Sequence, residues 1–75
     1  MTLNQLLDGQ SANVVDIAVD QKSLAFRCQS LGITPGCAIE VLRRAPAKGP
    51  LQVKVLNTLY SIRSSDAAHI RVSPV

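Results

Sequence analysis

The chain has 75 residues, of which 47% are hydrophobic and 17% are charged, and its formal net charge is +3. This length suffices for one small hydrophobic core. The longest uninterrupted apolar runs have three residues, whereas a membrane-spanning helix needs about twenty. The only aromatic residues of the Phe, Tyr and Trp types are Phe26 and Tyr60. We therefore predict a single domain over residues 1–75 with an aliphatic core.

The first predicted elements are a helical turn and a strand. Leu3, Leu6 and Leu7 recur at near-helical spacing, and residues 12–19 are rich in β-branched side chains, which is typical of a strand. The apolar positions of this strand change phase near Val14–Val15, which predicts a β-bulge there.

A helix is predicted next, with Asp20 as its N-cap. Leu24, Cys28 and Leu31 form a narrow apolar stripe on one face of it. Gly32 occupies the position where a helix ends in the left-handed conformation. Pro35 and Gly36 then have the chemistry of a type II turn. Gly32, Pro35 and Gly36 are therefore predicted to shape the backbone at a corner of the fold.

The second half of the chain is predicted to be mostly strand. Four strands are expected over residues 37–44, 51–56, 59–63 and 70–74. Asn57–Thr58 is the predicted hairpin turn, and Ser64 or Ser65 is the predicted cap of a helical turn over residues 66–70. The fold class is mainly β: a small bent barrel of about five strands with one short helix and helical turns.

Catalytic chemistry is not indicated by the sequence. The five acidic residues fall on different predicted elements, and the single histidine has no evident nucleophile beside it. Cys28 lies on the apolar stripe of the helix, where a core thiol is usual. With only Cys28 and Cys37 and no secretory signal, the expected compartment is the reducing cytoplasm, with both thiols free. We predict that the protein is not an enzyme.

Asp66 and His69 form the one pattern suggestive of a metal site. They lie three positions apart on a predicted helical turn, so both side chains could face one Zn or Fe ion. A structural zinc site normally has four ligands, so the missing ones would come from Cys37, the termini or a second molecule. A metal-bridged homodimer is therefore one alternative. The other interpretation is a helix-stabilising Asp66 and a solvated His69.

Two kinds of binding module remain. Nucleic acid is a common partner of small basic barrels, but single-strand binders stack bases on exposed aromatic side chains, and this chain has only two. No nucleic-acid partner is expected, although a regulator that binds nucleic acid stays an alternative. The aliphatic composition and the basic loop of residues 43–50 favour docking to another protein.

The ordered motifs of the chain resemble the FeoA family of the bacterial ferrous-iron transport system. The matching motifs are Leu31-Gly32-Ile33, Pro35-Gly36, Ile39-Glu40-Val41, Arg43-Arg44-Ala45-Pro46, Gly49-Pro50-Leu51, Ser61-Ile62-Arg63, Ala67-Ala68 and Ile70-Arg71-Val72. The upstream residues Leu7–Val14 also look like the opening strand of the family. The resemblance thus covers nearly the whole chain.

The resemblance implies an SH3-like barrel and a partner. That partner is FeoB, the membrane ferrous-iron permease with a cytoplasmic GTPase region, so the protein is expected in the cytoplasm and at the membrane through FeoB. No cofactor is firmly implied. The expected docking residues are the helix end at Leu31, Gly32 and Ile33 and the basic residues Arg43, Arg44 and Lys48.

Overall fold

The computed structural model describes residues 1–75 and contains one five-stranded antiparallel sheet. The strands are β1 (Ser11–Ile17), β2 (Ala38–Arg44), β3 (Leu51–Val55), β4 (Thr58–Ile62) and β5 (Ile70–Pro74). Their spatial order is β4-β3-β2-β1-β5. The helical segments are a 3-10 turn (Leu3–Gln5), α1 (Lys22–Ser30) and α2 (Ser64–Ala67). The predicted mainly β class is confirmed.

The sheet bends at two places where the strand register shifts. In the pairing of β1 with β5 the shift falls between Val14 and Asp16, which confirms the predicted bulge. In the pairing of β2 with β3 a second shift falls between Val41 and Arg43. An extra residue on one strand bends that strand and increases its twist, so the two shifts allow a short sheet to curve around its core.

The core consists only of hydrophobic side chains. Sixteen residues are buried, and none of them is polar or charged. The alternation predicted for β3 is present, with Leu51, Val53 and Val55 buried and the two residues between them exposed. Because side chains alternate across a strand, one face of β3 belongs entirely to the core.

The start of α1 differs from the prediction. The helix begins at Lys22 and Gln21 occupies the N-cap position, without a side-chain capping hydrogen bond. The amide of Gln21 donates to the carbonyl of Ala18 at 3.0 Å. This turn through Val19 and Asp20 delays the helix by one residue, so Asp20 stands outside the capping position and its prediction as N-cap is wrong.

The end of α1 is a Schellman motif. The amide of Ile33 donates to the carbonyl of Cys28 at 2.8 Å, and the amide of Gly32 donates to that of Gln29 at 3.2 Å. Gly32 has φ +84°, the left-handed conformation that this motif requires and that glycine adopts at little cost. The motif fixes the direction in which the chain leaves the helix.

A tight turn follows at Pro35 and Gly36. The amide of Cys37 donates to the carbonyl of Thr34 at 3.0 Å, and Gly36 has φ +92°. A positive φ at the third residue of a hydrogen-bonded four-residue turn is the geometry of type II. The stretch from residue 32 to residue 36 thus leads the chain from α1 into β2.

The hairpin between β3 and β4 turns one residue earlier than predicted. Its turn residues are Leu56 and Asn57, with φ 50° and 65°, and Val55 pairs with Thr58. Positive φ at both central residues defines a type I′ turn. The prediction of Asn57–Thr58 is wrong. The apolar pattern of the sequence extended β3 through Leu56, whereas the positive φ of Leu56 ends the strand at Val55.

The second helical segment also begins earlier than predicted. α2 starts at Ser64, and Arg63 occupies the N-cap position without a side-chain capping hydrogen bond. The prediction that Ser64 or Ser65 caps this turn is therefore wrong. Both serines lie inside the helix, where Ser64 is half-buried and Ser65 is exposed.

A charged pair joins β1 to β5. Arg71 donates through both Nε and Nη2 to the carboxylate of Asp16, with Nε 2.6 Å from Oδ1. This hydrogen bonding lowers the pKa of Asp16 below its ordinary value. The pair therefore stabilises the fold at pH values above the pKa of the unfolded carboxyl, and the stabilisation is lost as pH falls through the lowered value.

Replacing Arg71 by Gln is expected to return the pKa of Asp16 towards its ordinary range, because the paired guanidinium hydrogen bonds are lost together with the positive charge. The measurement is the pH dependence of the Asp16 carboxyl carbon shift in both proteins. An unchanged midpoint in the variant would show that Arg71 does not control this titration.

Candidate docking surfaces

The first candidate surface lies where α1 and the β3–β4 hairpin meet. We call it the apolar end, and it consists of Leu31, Gly32 and Leu56. A Cβ built on Gly32 would lie 3.5 Å from Cδ1 of Leu56, which places the hairpin turn against the end of the helix. Leu31 is 38% exposed and Leu56 is 79% exposed. Leu31, which precedes Gly32 in the chain, and Leu56, which lies against Gly32, therefore both expose apolar surface.

The backbone of the apolar end is held by hydrogen bonds. The hydroxyl of Tyr60 donates to the carbonyl of Leu31 at 3.0 Å, and the Schellman motif fixes Gly32. The turn that carries Leu56 is anchored by the pairing of Val55 with Thr58. The exposed leucines are thus presented by a rigid frame, which lowers the entropic cost of binding a partner.

Ile33 does not share this exposure. Its side chain is 1% exposed and belongs to the hydrophobic core, because the residue that follows the left-handed glycine in a Schellman motif packs back against the helix. The expected contact of Ile33 with a partner stays a prediction, and this burial leaves its side chain little surface for such a contact. Of the two residues that flank Gly32, Leu31 is therefore the one with exposed apolar surface.

The basic residues lie elsewhere. Arg43 and Arg44 are both exposed at the end of β2. Arg44 is also tied to the N-terminal segment, since its Nη2 donates to the carbonyl of Leu6 at 2.7 Å. Lys48 lies in the loop between β2 and β3 with φ 59°. Arg44 therefore has a structural role as well as an exposed charge.

The predicted docking residues do not form one surface. The loop that carries Lys48 enters β3 at Leu51, whereas Leu56 follows the other end of that strand. Five residues of strand span about 16 Å. The structure thus separates the apolar end from the basic residues by the length of β3, and each has to be considered as a contact region of its own.

A groove of about 580 Å³ lies beside the loop. Lys48 and Arg63 line it together with Asn4, Ser64 and Ser65, and we call this set the basic groove. Neither cation has an acidic partner within salt-bridge distance, since the salt bridges of the chain are Arg27–Asp66 and Arg71–Asp16. Sequence reasoning missed Arg63, because only the fold brings it to Lys48.

Asp66 and His69 do not assemble a metal site within one chain. The carboxylate of Asp66 accepts a hydrogen bond from Nη2 of Arg27 at 3.2 Å, and no three His, Cys, Asp or Glu side chains come together. Two donors, one of them already paired with a guanidinium, do not fit the four-ligand requirement of structural zinc. Ligands from a second molecule stay an untested prediction.

The thiol of Cys28 has the properties of a core residue. Its side chain is buried, and this burial raises its pKa. A thiol with a raised pKa stays protonated at neutral pH, whereas a nucleophile or a metal ligand has to be a thiolate. Cys28 therefore contributes packing to the fold.

The sequence matches the family model for the FeoA domain over residues 1–74. The chain belongs to the FeoA family. Its backbone superposes on FeoA from Chlorobium tepidum with a TM-score of 0.89 at 31% identity, covering 100% of this chain and 70% of the other. A comparison with curated proteins gave no match.

A second FeoA structure is that of Stenotrophomonas maltophilia in complex with zinc. It has a TM-score of 0.84 at 29% identity, and the alignment covers 97% of this chain and 89% of that one. That protein is described as an SH3 domain protein and a candidate activating factor of ferrous iron transport. The SH3-like fold expected of a FeoA protein is therefore confirmed here.

The fold also occurs in metal-dependent regulators. A manganese-dependent transcriptional repressor in complex with manganese superposes with a TM-score of 0.91 at 22% identity, covering 100% of this chain and 36% of the repressor. At this identity the likeness concerns the fold alone. Within the present FeoA protein, no helix has the length and apolarity that crossing a membrane requires.

Proposed function

We propose that this FeoA protein is a non-enzymatic accessory protein of bacterial ferrous-iron uptake that docks on the cytoplasmic GTPase region of FeoB. Membership of the FeoA family supports the role in iron uptake. The proposal places the protein in the cytoplasm and, through FeoB, at the membrane. The docking itself is supported by the surface of the domain.

The docking proposal is supported mainly by the exposed leucines of the apolar end. Leu56 has φ 50°, a conformation that costs a non-glycine residue about 1–2 kcal/mol. This strained position holds an apolar side chain in solvent against Gly32, the residue that follows the partly exposed Leu31. Strain of this kind is often retained at binding sites, where the surrounding structure enforces it. Burial of both leucines in a partner would supply the favourable free energy of docking.

The proposed function assigns no role to a metal ion held by one chain. The zinc reported for the Stenotrophomonas maltophilia relative belongs to that protein. In this chain the most suitable donors are Asp66, which is paired with Arg27, and His69. These two donors do not supply the four ligands of a structural zinc site. The proposed docking therefore does not depend on a metal ion.

The test is the affinity of the FeoB cytoplasmic region for variants of the apolar end. Combining Leu31→Glu with Leu56→Glu is expected to weaken binding at least about tenfold, because two charges would be buried in an apolar contact. The matched control is Val19→Glu, at a residue that is 93% exposed and precedes the opposite end of α1.

Calorimetric titration of each purified variant with the FeoB region measures the effect. The control is expected to bind as the unmodified protein does. Equal affinity of the double variant and the control, with both folded, would contradict docking through the apolar end.

A further inference from the structure

We propose that the basic groove binds an extended acidic segment of a protein partner. This inference deepens the docking function and rests on it, since it adds a second contact region and states the chemistry of its occupant. It concerns the surface beside the β2–β3 loop, separated from the apolar end by β3.

Charge is the first reason. Lys48 and Arg63 approach the groove from separate parts of the chain, and no carboxylate lines it. Both side chains are exposed and lack an acidic partner in the chain. Ser64 and Ser65 add hydroxyl donors at the same wall. The groove therefore offers two free positive charges and neutral donors, which complement carboxylates.

Shape is the second reason. A second depression of about 740 Å³ adjoins the basic groove, and the two share Lys48 and Ser64. Arg44 lines the second depression, where the bond from its Nη2 to the Leu6 carbonyl holds the guanidinium in place. Asp8 is the one acid there. Three cations thus follow one continuous depression, which suits an extended chain.

Small anions and nucleic acids fit the groove less well. The donors are distributed along an open depression, whereas a lone phosphate needs donors that converge on one point. Neither depression is lined by an aromatic side chain, whereas proteins that bind single-stranded nucleic acids combine a basic groove with aromatic side chains on which the bases stack. The observations therefore favour an acidic peptide.

The experiment is an NMR titration of the labelled full chain with a capped hexaglutamate peptide at low salt. Shifts are expected at Lys48 and Gly49 and at residues 63–65, with no shifts at Leu31 or Leu56. A hexaglutamine peptide of the same length is expected to leave the spectrum unchanged. Added salt is expected to weaken binding, because exposed charge pairs are screened.

Matched double variants identify the cations. Lys48→Asn with Arg63→Gln removes two positive charges, and asparagine tolerates the left-handed backbone at position 48. Lys22→Gln with Lys54→Gln removes two charges from exposed residues elsewhere. The first pair is expected to weaken hexaglutamate binding about fivefold, and the second pair is expected to change it less than about twofold.

Three outcomes would overturn the inference. Equal weakening by both pairs would show attraction by net charge alone. Inorganic phosphate giving the same shifts at the same concentration would show a small-anion site. Absence of peptide binding, while the FeoB region still binds, would refute the acidic segment and leave the docking function intact. Peptide binding without FeoB binding would refute the docking function instead.

Discussion

Replacing Leu51 by Ala is expected to lower the free energy of unfolding by about 2–5 kcal/mol. Leu51 is 0% exposed, at the start of β3 and paired with residues of both β2 and β4. The substitution removes apolar contacts and leaves a cavity where three strands meet. A domain of this length has a total stability of only about 4–11 kcal/mol. The loss is therefore a large share of the total, and the variant is expected to unfold at a clearly lower temperature and urea concentration than the unmodified protein.

The matched control is Leu59→Ala on the neighbouring strand. Leu59 is 58% exposed, so the same chemical change is expected to cost less than about 0.5 kcal/mol. Urea unfolding followed by circular dichroism gives both values. Similar losses for the two variants would contradict the assignment of Leu51 to the core.

Replacing Ile33 by Ala is expected to cost about 2–4 kcal/mol of stability, whereas Leu31→Ala is expected to cost well under half as much. Ile33 is buried and closes the Schellman motif against α1, while Leu31 is partly exposed. The two residues are separated only by Gly32. Binding to the FeoB region is expected to show the opposite order, with Leu31→Ala the more damaging change.

Thermal unfolding and calorimetric binding of both variants test this pair of expectations. Binding by the Ile33 variant has to be measured at a temperature where its spectrum shows it to be folded. Loss of FeoB binding in the folded Ile33 variant, with Leu31→Ala unaffected, would reverse the assigned roles.

Most of the fold could be predicted from local patterns in the sequence. The alternation of β3, the stripe of α1 and the bulge near Val14 each depend on neighbouring residues, and the structure contains all three. The structure differs from the predictions at the ends of helices and strands. There, a hydrogen bond such as that from Gln21 to Ala18 decides the boundary, and local composition does not reveal it.

Which residues come together in the candidate surfaces could be predicted less well, because it depends on the fold. Leu31 was expected among the docking residues, although the apolar stripe alone placed it on the buried face of α1. Leu56 was not expected there, because it lies on a hairpin that only the fold brings to Gly32. Arg63 joins Lys48 only because α2 follows β4 directly and lies beside the β2–β3 loop. The separation of apolar and basic residues by β3 likewise depends on sheet topology, which a single sequence does not show.

The docking of this protein on FeoB is tested most directly by NMR. Isotope-labelled protein is titrated with the FeoB cytoplasmic region, with and without GTP, and the backbone amide shifts are mapped on the structure. The proposed docking predicts shifts that centre on Leu31, Gly32, Leu56 and Asn57. An unchanged spectrum at high partner concentration, or shifts confined to residues away from the apolar end, would contradict it.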